Sequence, residues 1–276
     1  MHRFSFVLLF VMMCAIPVHA AEVFRVRDRA TMPFEKMLPD LQAADIIYIG
    51  ELHHIEAHHR LGLDIIKALH ESDLPLAVGI EMFRAEEQAV LDAWIDGTLS
   101  LDRFIRSYAD NWTLPWTFYD DIFLYAREHR IPLVGLNIPD EISTTVARSG
   151  FAALPEAQRK RLPPGMSCNV DPKYREFVRQ AYAGHSAHGG RQFEHFCEAQ
   201  MVWDKSMAWH LLRYRVANPG VKLIVLAGLG HAWRRGIPEQ ASLISKATTQ
   251  VVLPVVPGQL APQNATPADA DYLLYW

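Results

Sequence analysis

The chain has 276 residues, half of them hydrophobic, and a formal net charge of -4. That length buries a sizeable core in one large domain or two small ones. The mild charge balance leaves no electrostatic footprint for nucleic acid as a partner.

Arg3 opens a segment whose apolar run, residues 4–18, is too short to span a bilayer and ends in Val18-His19-Ala20. This predicts a signal peptide at residues 1–20 and an exported, periplasmic protein of residues 21–276. The alternative is a membrane-anchored lipoprotein lipidated at Cys14, although Met13 is bulky where such sites take a small residue. Beyond Cys14 the cysteines are Cys168 and Cys197. An oxidising compartment permits a bridge between them without requiring one.

Residues 21–44 predict an entry segment and a short helix. Residues 45–50 (DIIYIG) predict a buried strand and a tight turn. A helix follows, with Leu61, Ile65, Ile66 and Leu69 on one face. Further strands are predicted at 76–82, 131–137, 222–228 and 250–256, and an edge strand at 271–276. Helices are predicted at 85–95, 101–110, 119–129, 139–147, 171–183, 192–216 and 238–246, with residues 151–170 irregular. Asp171 and Pro172 supply a helix N-cap and first position. Alternating strands and helices predict an α/β fold: a mainly parallel central sheet with helices on both faces. The stretch 139–218 adds a helical insert, or subdomain.

Four apolar strands end in polar groups: Glu51 with His53, Glu81, Asn137 and His231. Gly50-Glu51-Leu52-His53 and Gly228-Leu229-Gly230-His231 each place a His three residues after a Gly that permits a sharp turn. In open α/β sheets ligands bind outside the carboxyl ends of the strands. Two His and two Glu there can hold a divalent metal or carry out acid–base work. A turn or cap role for each is the plainer alternative. His54 and His58, four apart, form a second candidate chelating pair. On the long helix, Gln200 and Asp204, four apart, are candidates to orient the histidines from behind, the alternative being an ordinary surface pair. On the segment 171–185, Tyr174 and His185 lie within about 20° on a helical wheel, and Tyr182 about 80° from Tyr174. A tyrosinate oxygen can ligate ferric haem iron.

The motifs GELHHIEAHHR, VGIEMF, PLVGLN, EAQMVWDKSMA and VLAGLGHAWRRGIP resemble, in order and rough spacing, the ChaN-like haem-binding proteins. Those belong to a superfamily with the Tiki and TraB proteins and are related to the erythromycin esterases. The resemblance covers residues 40–276 and implies an α/β fold in an exported protein of haem-iron uptake. It also implies haem as cofactor, held near a homodimer interface with Tyr as iron ligand, and components of a haem-uptake system as partners. The family's Gly-Glu-x-His matches Gly50, Glu51 and His53, its later Glu matches Glu81, and its Ala-Gln-x-x-x-Asp matches Gln200 and Asp204. Its Gly-x-Gly-His matches Gly228, Gly230 and His231. Its Asp-x-x-Tyr matches Asp171 and Tyr174, with Tyr182 nearby, and the two tyrosines are not distinguished. The absent lipobox departs from lipid-anchored members. The expectation is therefore a haem-binding protein. The alternative is a divalent-metal-dependent hydrolase using Glu51, His53, Glu81 and His231.

Overall fold

The computed structural model describes residues 22–185 and 192–275, and side chains up to Tyr182 and again from Gln192. The expected signal segment, the side chain of His185 and the link at 186–190 lie outside the described residues.

One eight-stranded sheet organises the molecule. Its strands are β1 (Glu22–Arg25), β2 (Ala30–Pro33), β3 (Ile46–Glu51), β4 (Leu76–Arg84), β5 (Leu133–Asn137), β6 (Lys222–Gly228), β7 (Thr249–Pro254) and β8 (Tyr272–Leu274). They lie in the order β2-β1-β8-β7-β3-β6-β4-β5. From β8 to β5 every pairing is parallel. A parallel sheet must be covered on both sides, and its strands read as continuous apolar runs. β3 is buried throughout, with Ile47 and Ile49 entering one core and Ile46 and Tyr48 the other.

The first core is closed by α1 (Leu38–Ala43), α2 (Glu56–His70), α3 (Gln88–Ile95), α4 (Leu101–Asn111) and α5 (Asp120–Glu128). Among the described residues, the helices α6 (Asp140–Ser149), α7 (Glu156–Arg159), α8 (Pro172–His185) and α9 (Phe193–Ala217) lie in the connection from β5 to β6. On the second face α8 and α9 pack with α10 (Leu229–Ala232) and α11 (Ile237–Ser242). α6 and α9 also share a satellite core of Ile142, Val146, Ala199 and Val202. Asp171 caps α8 as its sequence foretold, its Oδ1 accepting the Lys173 N–H at 2.8 Å.

Two expectations are corrected. Residues 22–33, read from sequence only as an entry segment, form a β-hairpin. Its turn lacks the Asn-Gly signal of tight hairpins, and Arg29 takes the left-handed φ of 55°. The last strand is not an edge: β8 sits between β7 and β1 and is wholly buried. Its apolar YLL was the signal of an interior position. A true edge is β5, and there Gln88 lays its amide along the strand. Gln88 Nε2 donates to the Leu133 carbonyl (2.7 Å), and the Gly135 N–H donates to Gln88 Oε1 (3.0 Å). A side chain thus occupies the groups a foreign strand would pair with.

Cys168 and Cys197 form a disulfide, tying the segment before α8 to the first turns of α9. The sequence left that pairing open.

Candidate functional site

The register of the sheet brings the two Gly-to-His turns together. β3 and β6 are central neighbours, and Glu51 is directly opposite Gly228. On the other side of β6, the pairing of β4 with β5 shifts register between Ile80 and Arg84. Such an irregularity re-aims side chains, and Glu81 lies within it. Asn137, at the end of β5, holds that strand end: its Nδ2 donates to the Glu81 carbonyl (2.9 Å) and its Oδ1 accepts the Ile138 N–H (2.8 Å).

Glu51, Glu81 and Asp204 are all buried. Uncompensated carboxylates would be expensive there, and each is met by donors. Glu51 Oε1 accepts from His53 Nδ1 at 2.9 Å and from the Tyr119 hydroxyl, and His59 Nε2 stands 3.5 Å away. Glu81 Oε2 accepts the Gly228 N–H at 2.6 Å. Asp204 accepts from His231 Nδ1 at 2.7 Å and from the Tyr174 hydroxyl. Each imidazole therefore spends Nδ1 on a buried carboxylate and turns Nε2 towards Glu81. The His53 Nε2 to Oε2 distance is 4.0 Å and the His231 Nε2 to Oε1 distance is 3.8 Å. Trp112 meets His53 edge-on at 5.0 Å, and Trp203 meets His231 edge-on at 5.9 Å.

The electrostatics follow. Burial works to raise the Glu51 carboxyl, but the bond from His53 and the nearby His59 imidazole outweigh it and hold the group at about 2. Burial works to lower His231, and the Glu81 and Asp204 carboxylates overcome it, raising the imidazole to about 9. His53 is raised in the same way by Glu51 and Glu81 against its own burial. Burial raises Tyr119 and Tyr174, with Glu51 and Asp204 respectively adding to it. Both phenols therefore stay protonated and donate.

Of the residues named from sequence, Glu51, His53, Glu81, His231, Asp204 and Asn137 converge. Gln200 lies one turn before Asp204 on α9, half-buried. His54 and His58 do not form the candidate helical pair. α2 starts at Glu56, leaving exposed His54 in the preceding turn. Buried His58 turns Nδ1 to accept the Leu52 N–H at 3.0 Å. Sequence reasoning missed Tyr119 and His59. Tyr119 was simply the first residue of a predicted helix, and His59 one histidine among several. Among the described residues no three His, Cys, Asp or Glu side chains already form a metal cage.

Gly228 shows how tightly the rim is built. A Cβ there would stand 2.7 Å from His53 Nε2 and 3.6 Å from Glu81 Oε2. Gly228→Ala is expected to push His53 off Glu51 and cost about 1–3 kcal/mol. Denaturant titration measures the loss, and an NMR titration should show the His53 pKa moving. An unmoved His53 resonance would contradict the packing described.

The two tyrosines on α8 separate sharply. Tyr174 is 1 % exposed and faces inward to Asp204. Tyr182 is half-buried, its ring 5.8 Å from Phe193 and 5.6 Å from Phe196. The guanidiniums of Arg175 and Arg179 lie over the Phe193 ring, at 5.0 and 4.3 Å from its centroid.

Comparison with known proteins agrees with the architecture. The solved structure titled cofacial heme binding to ChaN of Campylobacter jejuni superposes with a TM-score of 0.72 at 19 % identity, covering 92 % of this chain and 96 % of that one. An erythromycin esterase mutant in its open conformation superposes with a TM-score of 0.52 at 15 % identity, covering 91 % and 82 %. At these identities the likeness shows a shared fold. No curated protein matches the sequence significantly. The family model described as haem-binding uptake, Tiki superfamily, ChaN matches residues 37–241, and the chain belongs to that family.

Proposed function

We propose that this protein is exported to the periplasm and binds haem on the surface between α8 and the start of α9, with the Tyr182 phenolate as iron ligand. The observation that carries this is the cluster of Tyr182, Phe193 and Phe196 beside Arg175 and Arg179. Haem presents a broad apolar face and two anionic propionates, and this cluster offers aromatic rings and two cations. Arg175 pairs with Glu194 and Arg179 with Glu176, in ion pairs open to solvent. Such pairs are worth about 0–1 kcal/mol, so exchanging a carboxylate for a propionate costs little. Tyr174 fits poorly as ligand, because an iron ion would have to draw it out of a buried bond to Asp204. The Cys168–Cys197 bridge supports an oxidising compartment. Delivery to other components of a haem-uptake system, and pairing of two copies on haem binding, belong to the same proposal.

Hemin titration tests it. A saturable Soret band is expected for wild type and for Tyr174→Phe, with a shifted or lost band for Tyr182→Phe. An unaltered spectrum in Tyr182→Phe sinks the assignment, and size-exclusion chromatography of the same samples reads any dimer.

The rim supports a second reading, a divalent-cation-dependent hydrolase. Both His53 and His231 donate Nδ1–H to buried carboxylates and aim Nε2 at Glu81, an arrangement that suits metal-binding histidines. His53, His231 and Glu81 would hold the cation, with Glu51 and Asp204 orienting the rings, and Asn137 and Gln200 behind them. A bound cation would supply an activated water. Because the carboxylates favour protonated imidazoles, uptake of the ion has to release protons. Elemental analysis and calorimetry with zinc, for wild type and Glu81→Gln, decide it.

A further inference from the structure

The amino-terminal edge of the parallel sheet, opposite the rim, carries an apolar projection. Val216, near the end of α9, is 81 % exposed, and Leu243 and Ile244, just past α11, are 74 % and 66 % exposed. Val216 and Ile244 share an open groove of about 450 Å³ with Trp209 and Leu212. Single exposed aliphatic residues are ordinary, but Val216 and Ile244 share one groove with a tryptophan, and exposed Leu243 adjoins Ile244 in the chain, which marks an interaction surface. Among the described residues no helix is long and apolar enough to cross a membrane.

The charges decide the partner. Arg213 and Arg215 line the groove, which has no carboxylate in its described lining, and exposed Lys246 follows Ile244 by two residues. Arg213 lies over the Trp209 ring at 4.9 Å. Arg215 stands 3.3 Å from Asp45, so the groove lining keeps Arg213 as its positive excess, on a chain of net charge -4. Two copies pairing through this face would set the same cations against each other, because a two-fold contact uses one patch twice. An anionic surface relieves that repulsion.

We propose that this face docks the protein on an anionic lipid bilayer. Val216, Leu243 and Ile244 enter the boundary between headgroups and acyl chains, and Arg213, Arg215 and Lys246 meet the lipid phosphates. Trp209 suits the same interfacial depth. β6 and β7 begin beside this patch, and β6 ends at the His231 turn, so docking leaves the rim facing water.

Sedimentation with vesicles of phosphatidylglycerol and phosphatidylethanolamine tests this, with phosphatidylcholine vesicles as the neutral control. Wild type is expected to bind the anionic vesicles preferentially, and less in high salt. Leu243→Glu/Ile244→Glu should weaken binding more than tenfold, and Arg213→Glu/Lys246→Glu should reduce it to the neutral-vesicle level. Circular dichroism and Tm should not change, because these side chains are exposed. All forms share the same N-terminal segment, so a difference reports the patch. Equal binding by wild type and both variants, or no binding by wild type, overturns the proposal. So does a wild-type dimer that the Leu243→Glu/Ile244→Glu variant loses, which would make the face a contact between copies.

Discussion

Asp204→Ala is expected to destabilise the protein by about 3–5 kcal/mol, the usual cost of removing one partner of a buried charge pair. Asp204 is 0 % exposed and accepts from both His231 Nδ1 and the Tyr174 hydroxyl. Alanine strands both donors inside the protein and opens a cavity between α8, α9 and the turn after β6. At about 2–4 °C per kcal/mol for a chain of this order of size, Tm should fall by roughly 10 °C. Asp204→Asn keeps an acceptor and should lose far less. Thermal denaturation by circular dichroism measures both. A drop of only a degree or two in the alanine variant would mean that the network does not hold α8 in place.

Stability should also fall on both sides of neutral pH. His231 is raised from 6.5 to about 9 in the folded state. A raised group contributes its stabilisation fully below the unfolded value and loses it as pH climbs through the folded one. Between pH 6.5 and about 9 that loss amounts to roughly 3 kcal/mol. Glu51 is the mirror case, lowered from 4.5 to about 2. Its contribution is present above pH 4.5 and lost as pH falls towards 2, again by roughly 3 kcal/mol. Urea midpoints from pH 3 to pH 10 should trace a dome. His231→Gln should shrink the alkaline limb to the part that His53 supplies and leave the acid limb standing. An alkaline limb unchanged in that variant would place the titrating group elsewhere.

The rim was legible in the sequence because its parts lie where apolar runs stop. Glu51, Glu81 and Asn137 each interrupt or end a strand, and His231 stands in the turn just past one, and the length of those strands is plain. What joins them was not legible. Tyr119 lies far along the chain, just before α5, and only the folded structure shows that its hydroxyl reaches Glu51. The choice between Tyr174 and Tyr182 likewise depends on which face of α8 meets α9, and helical periodicity alone left both open. The hairpin at 22–33 escaped because its turn uses Arg29 in place of the small residues that announce one. β8 was placed in the chain but misplaced in the sheet, since position in sequence says little about position in a ladder.

The siting of β8 bears on the order in which the protein can assemble. Among the described strands it is the bridge between the β1–β2 hairpin and the parallel sheet. Val23 pairs with Leu274 and Arg25 with Tyr272, so almost the whole described chain lies between the partners. Contacts of such long sequence separation form slowly. The flank of β7 therefore stays open, and the hairpin unattached, until the two ends of the described chain meet. A deletion of a few residues at 272–274 should thus unfasten a segment nearly the full chain length away.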